Sequence, residues 1–130
     1  MNADERRFEE SELTEAIIAG AYRVANTLGC GFLEKPYENA LAHELRTSGF
    51  RVGQQVPIHI WYDEIIVGDY IADLIVNHRV IVEIKAVQAI DPVFHAQCLN
   101  YLRATRLPVC LLLNFGKPKL QIKRFALTQS

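Results

Sequence analysis

Apolar residues recur along the chain at two periods, and the change from one to the other divides it into elements. Leu13, Ile17, Ala21, Val24 and Leu28 fall at helical spacing, which predicts an amphipathic helix over residues 9–28 that stops before Gly29. Past Gly29-Cys30-Gly31, the stripe Tyr37, Leu41, Leu45 predicts a second helix over 34–47, with Pro36 in its first turn, where a missing N–H costs nothing. Segments rich in β-branched residues follow at 52–61, 65–76 and 80–87, broken by Tyr62-Asp63-Glu64 and by Asn77-His78-Arg79. Asp91-Pro92 reads as the N-cap and first position of a third helix that reaches residue 104. The nearly unbroken apolar run 108–115 suits a strand buried on both faces, and Gly116-Lys117-Pro118-Lys119 turns the chain into a last strand over 120–127. The order ααβββαββ predicts an α/β fold, with helices flanking a mixed β-sheet, in one domain over 1–130 whose residues 1–10 are flexible or frayed.

Composition narrows the class. Of 130 residues, 50% are hydrophobic and 22% charged, enough to bury a core without disulfides or a structural metal. The N-terminus is charged and lacks the apolar centre of a signal peptide, and no apolar run reaches spanning length, so a cytoplasmic protein is expected. Cys30, Cys98 and Cys110 show no CxxC spacing and read as buried free thiols; His43, His59, His78 and His95 are scattered, which argues against a zinc site. Net charge is −1, but seven of the 14 Lys and Arg lie from Lys85 onward with Asp91 as the sole acid there. That asymmetry is compatible with a nucleic-acid partner and equally with an ordinary solvated surface.

The chemistry concentrates where charge interrupts an apolar hairpin. Glu83 and Lys85 are two apart on one strand and point to one face. A two-residue turn at Asn77-His78 would send Asp73 to the opposite face, whereas a three-residue loop would set it directly across from Glu83, with Cβ atoms about 5 Å apart. Two apposed carboxylates can hold one divalent cation, and the backbone carbonyl of Ile84 could add a third oxygen; the bland alternative is a surface ion pair of Lys85 with either acid. In the first case both carboxylates and Lys85 are expected on the side covered by the second and third helices. Lys85 suits orientation and charge stabilisation at a phosphate better than proton abstraction, because neighbouring acids oppose the depressed pKa a base needs.

Gly31-Phe-Leu-Glu34-Lys-Pro-Tyr37 has the spacing GxxExxY. Together with Asp73, Glu83-Ile84-Lys85 and Ala96-Gln97-Cys98-Leu99-Asn100-Tyr101, over residues 13–125, the chain resembles the GxxExxY proteins of the PD-(D/E)xK nuclease superfamily. Ala72 stands where that motif carries proline. The resemblance implies a three-layer, restriction-endonuclease-like core, Mg²⁺ or Mn²⁺ as cofactor, and hydrolysis of nucleic-acid phosphodiesters, with DNA placed ahead of RNA as partner. It also implies a helix acid and a QxxxY helix beside the metal strands: Glu34 as candidate acid, and Gln97 within direct or water-bridged reach of Lys85 with Tyr101 on the same wall. Asp73, Glu83, Lys85, Gln97, Glu34 and Tyr101 are thus the candidate catalytic residues, and Asp73, Glu83 and Ile84 the metal ligands.

Helical spacing places Glu34 between Leu41 and Leu45, facing inward, although it could equally serve as a helix-start acid with Gly31 as the cap. Glu38 is a weaker candidate, Tyr37 reads as a core aromatic with its hydroxyl tied down, and His95 as exposed. Two alternatives stay open: a catalytically silent domain on the same fold that binds nucleic acid or protein, and a homodimeric accessory protein pairing through an apolar edge strand.

Overall fold

The computed structural model describes residues 3–127 in backbone and 10–127 in side chain, so of the terminus expected to be flexible or frayed at 1–10, residues 1–2 and the side chains to residue 9 lie outside the described residues. The elements are α1 (Ala3–Leu28), α2 (Glu34–Thr47), β1 (Val52–Tyr62), β2 (Ile65–Val76), β3 (Val80–Lys85), α3 (Pro92–Thr105), β4 (Val109–Asn114) and β5 (Gln121–Phe125). This is the expected order. Helix α1 begins six residues before the expected 9, the run Ala3-Asp-Glu-Arg-Arg containing no Gly or Pro to stop it.

The five strands lie in sequence order, antiparallel except for the parallel pair β3 and β4, which α3 connects. Alternation in β3 sorts its side chains. Val80, Val82 and Ile84 pack with Ile17, Ala21, Leu41 and Leu45 of α1 and α2, while Ile81 joins Cys98, Tyr101 and Leu102 of α3 on the other face. The result is a three-layer, restriction-endonuclease-like α/β fold. Helices α2 and α3 therefore cover opposite faces, which corrects the expectation that both would cover the charged side. Alternation cannot place a helix on a strand face; only the crossover decides that.

Strand β3 ends at Lys85, two residues before the expected 87, because a fully buried side chain takes over from the sheet. Asn114 Oδ1 accepts from Val87 N at 3.0 Å and Nδ2 donates to Val87 O at 2.9 Å, while Phe115 N donates to Lys85 O at 2.8 Å. Next to it Gly116 approaches so closely that a Cβ would lie 2.3 Å from Val87 N. The backbone after Lys85 is thus clamped to the end of β4.

Candidate active site

The hairpin between β2 and β3 sets the register. Val76 pairs with Val80, leaving the three residues 77–79 as the loop, and the ladder runs on through Ile75 with Ile81 and Leu74 with Val82. Asn77 and His78 take left-handed φ of 52° and 55°, which Asn and His tolerate better than most residues, and Asn77 Oδ1 accepts from Arg51 N at 2.8 Å. Extending that register by one puts Asp73 across from Glu83. No further ladder pair forms there; instead Asp73 Oδ2 accepts from Ile84 N at 2.8 Å. A residue's N–H and C=O leave a strand on the same side, so the Ile84 carbonyl also points toward β2.

The pleat is irregular around Asp73. Ala72 and Ile75 both pack on the α3 side, while Leu74 between them faces α1 and α2. On β1, Gln55 has φ 52° and drops out of the ladder between Gln54–Leu74 and Val56–Ala72. Asp73 and Gln55, which face each other in that register, thus form no ladder pair.

Glu83 is only 3% exposed, and its Oε1 has no hydrogen-bond partner. Burial pushes its carboxyl up to about 10, with the charge of Asp73 and a hydrogen bond to Asp73 adding to the rise and Lys85 opposing it. The Lys85 ammonium does not close an ion pair with either acid; it sits 4.2 Å from the centroid of the Phe94 ring on α3. Two apposed carboxylates, one with an orphaned buried oxygen, form a site whose electrostatics favour a cation.

Gln97 and Tyr101 share one face of α3, as their spacing predicts. Gln97 Nε2 donates to the Tyr101 hydroxyl at 2.7 Å, and that hydroxyl reaches Ile71 O at 3.4 Å. Burial, and after it the charges of Glu83 and Asp73, raise the Tyr101 phenol above its ordinary range. No direct hydrogen bond joins Gln97 to Lys85: Tyr101 takes the amide, and the ammonium lies over Phe94.

Glu34 stands as a helix-start acid, one of its two expected readings, though without the expected cap. It opens α2, is half-buried and makes no hydrogen bond or ion pair among the described residues; the N-cap is Leu33 without a side-chain bond, not Gly31. The inward acid is Glu38, one turn further along, buried with Tyr37, Leu41, Ala42 and Leu45. Among the described residues no three His, Cys, Asp or Glu side chains are grouped as metal ligands, so Glu34 is not brought into a cluster with Asp73 and Glu83. Tyr37 has its hydroxyl tied down as expected, donating to Gly29 O at 2.7 Å and accepting from Phe32 N at 3.2 Å. His95 is partly buried, not exposed, with its ring 5.4 Å from Phe125 on the edge strand β5. Cys98 and Cys110 are buried but Cys30, in the loop before α2, is exposed. Residues that the sequence pattern did not single out are Gln55, whose role depends on a left-handed backbone, and Asn114, which only its burial makes conspicuous.

A profile of the PD-(D/E)XK nuclease superfamily matches residues 11–125, a span that includes every residue placed at the site. No curated protein matches the chain, and no solved structure does.

Proposed function

The chain belongs to the PD-(D/E)XK nuclease superfamily, and from that premise we propose that it is a Mg²⁺- or Mn²⁺-dependent hydrolase of nucleic-acid phosphodiesters, of the GxxExxY kind, acting at Asp73, Glu83 and Lys85. The observation that carries this is the orphaned, buried Oε1 of Glu83 beside a second carboxylate, an arrangement unfavourable without a cation. The donor set is all oxygen, two carboxylates and the Ile84 carbonyl, which suits a hard divalent ion that keeps positions for water and substrate. Such an ion supplies charge neutralisation and Lewis-acid polarisation of the scissile phosphate.

The protein's own groups do the rest. Lys85, held over Phe94 and with no ion pair among the described residues, can donate to a phosphate oxygen where negative charge grows in the transition state. Tyr101 stays protonated beside two acids and, fixed by Gln97, offers a wall and a hydroxyl rather than a base. The turn carrying Lys117 and Lys119 follows β4, whose last residue pairs with Lys85, so exposed cations stand at the same end of the sheet for a polyanion.

The test is cleavage of single- and double-stranded DNA and RNA with Mn²⁺, beside calorimetric Mn²⁺ titration of the wild type, Asp73→Asn, Glu83→Gln and Lys85→Ala. Cleavage and metal binding should both fall in the two carboxylate variants. A wild type that binds no Mn²⁺, or cleavage unchanged in Glu83→Gln, would leave a catalytically silent domain on this fold.

A homodimer is favoured by a separate observation. Trp61, Tyr62, Ile65, Ile66, Val67 and Ile71 are all exposed on the β1–β2 hairpin, β1 is an edge strand, and residues 52–78 contain no Lys or Arg to meet a phosphate backbone. Sedimentation of the wild type against Trp61→Lys tests it; a monomeric wild type refutes it.

A further inference from the structure

Gln55 is an exposed residue on β1 whose φ of 52° a glutamine adopts only where its surroundings impose it. Ordinary extended backbone would let it pair with Asp73, opposite it in register. The left-handed turn gives up those ladder bonds and leaves a side-chain bridge in their place: Gln55 Nε2 donates to Glu38 Oε1 at 2.8 Å and to Asp73 Oδ1 at 3.3 Å. The direction of that bridge is set from α2. Glu38, only 2% exposed, also accepts from Gln54 Nε2 at 2.9 Å and from Lys35 Nζ at 3.3 Å to each oxygen. An ionised carboxylate accepts and cannot donate, so Glu38 admits only the nitrogen end of the Gln55 carboxamide, and the second hydrogen of that nitrogen is delivered to Asp73. Turned the other way, the amide would set its oxygen against two carboxylates. Asp73 is thereby held at both oxygens, Oδ1 by Gln55 and Oδ2 by the Ile84 N–H.

We propose that Gln55, oriented by Glu38, is a positioning residue that fixes the Asp73 carboxylate for cation binding. The relay runs from the buried acid of α2 through β1 to β2, and it gives Glu38 a task other than ligation. It rests on the Asp73–Glu83 cation site proposed above. Hydrogen-bond partners that orient a ligand typically contribute about 10- to 100-fold in metal affinity.

Gln55→Gly separates this role from a structural one, because glycine takes a φ of 52° without strain while the bridge is lost. The melting temperature in metal-free buffer should hold or rise, and the Mn²⁺ affinity, measured by calorimetry without substrate, should fall about 10- to 100-fold. Glu38→Gln should also weaken Mn²⁺ binding, and the double variant should bind no more weakly than Gln55→Gly, since Glu38 acts through Gln55. If Glu38→Gln does not fold, the comparison of Gln55→Gly with the wild type decides alone. Unchanged Mn²⁺ affinity in Gln55→Gly, with or without a raised KM for nucleic acid, overturns the positioning role and leaves the cation site standing. A double variant with additive losses overturns the relay, and a wild type that binds no Mn²⁺ overturns the site and the relay together.

Discussion

Replacing Glu83 by glutamine should stabilise the metal-free protein, and by an amount that grows with pH. The carboxyl has an ordinary value of 4.5 and is pushed up to about 10 in the fold, chiefly by burial and then by Asp73. Between those limits the folded chain holds a proton on Glu83 that the unfolded chain has released. Unfolding therefore releases a proton, and stability falls by about 1.4 kcal/mol for each pH unit of rise. Below pH 4.5 the penalty is absent; at pH 8, about 3.5 units above, it reaches a ceiling of about 5 kcal/mol. Local water entry lowers such costs, so a gain of about 2–5 kcal/mol is expected from Glu83→Gln, which keeps the volume and cannot ionise. For a chain of this size that corresponds to roughly 10–20 °C in melting temperature. Thermal unfolding of both proteins in chelator, from pH 5 to 9, should give curves that converge at the acid end and diverge steadily above it. Parallel curves, or a less stable Glu83→Gln, would show that the carboxylate is not buried beside Asp73 as described.

Lys85→Ala should leave calorimetric Mn²⁺ affinity within a few-fold of wild type while lowering kcat by about 100-fold or more, because its contact with the phosphate strengthens only in the transition state. Tyr37→Phe removes a hydroxyl that serves both Gly29 O and Phe32 N; urea unfolding should show a loss of about 1–3 kcal/mol, with cleavage unchanged. Gly116→Ala should destabilise by more than about 2 kcal/mol in the same assay, since its Cβ would meet the Val87 backbone.

Periodicity alone determined much of this protein. The order ααβββαββ, the N-cap at Asp91 and the buried run of β4 are local patterns, and local patterns depend on residue type and spacing that the sequence displays directly. Three charges in an apolar hairpin were likewise visible, and they named Asp73, Glu83 and Lys85. Whether the two carboxylates met was not, because it turned on a three-residue loop with two left-handed residues. A slip of one residue reverses a side chain's face, and a sequence does not record such slips. Glu34 and Glu38 illustrate the same limit: both lie toward the apolar side of α2, and only the packing of β1 beside that helix made Glu38 the buried acid with donors around it. Gln55, an exposed glutamine in a strand, carries no mark in the sequence. Its place beside Asp73 comes from backbone conformation and from contacts 17 and 18 residues apart, which exist only once the sheet has formed.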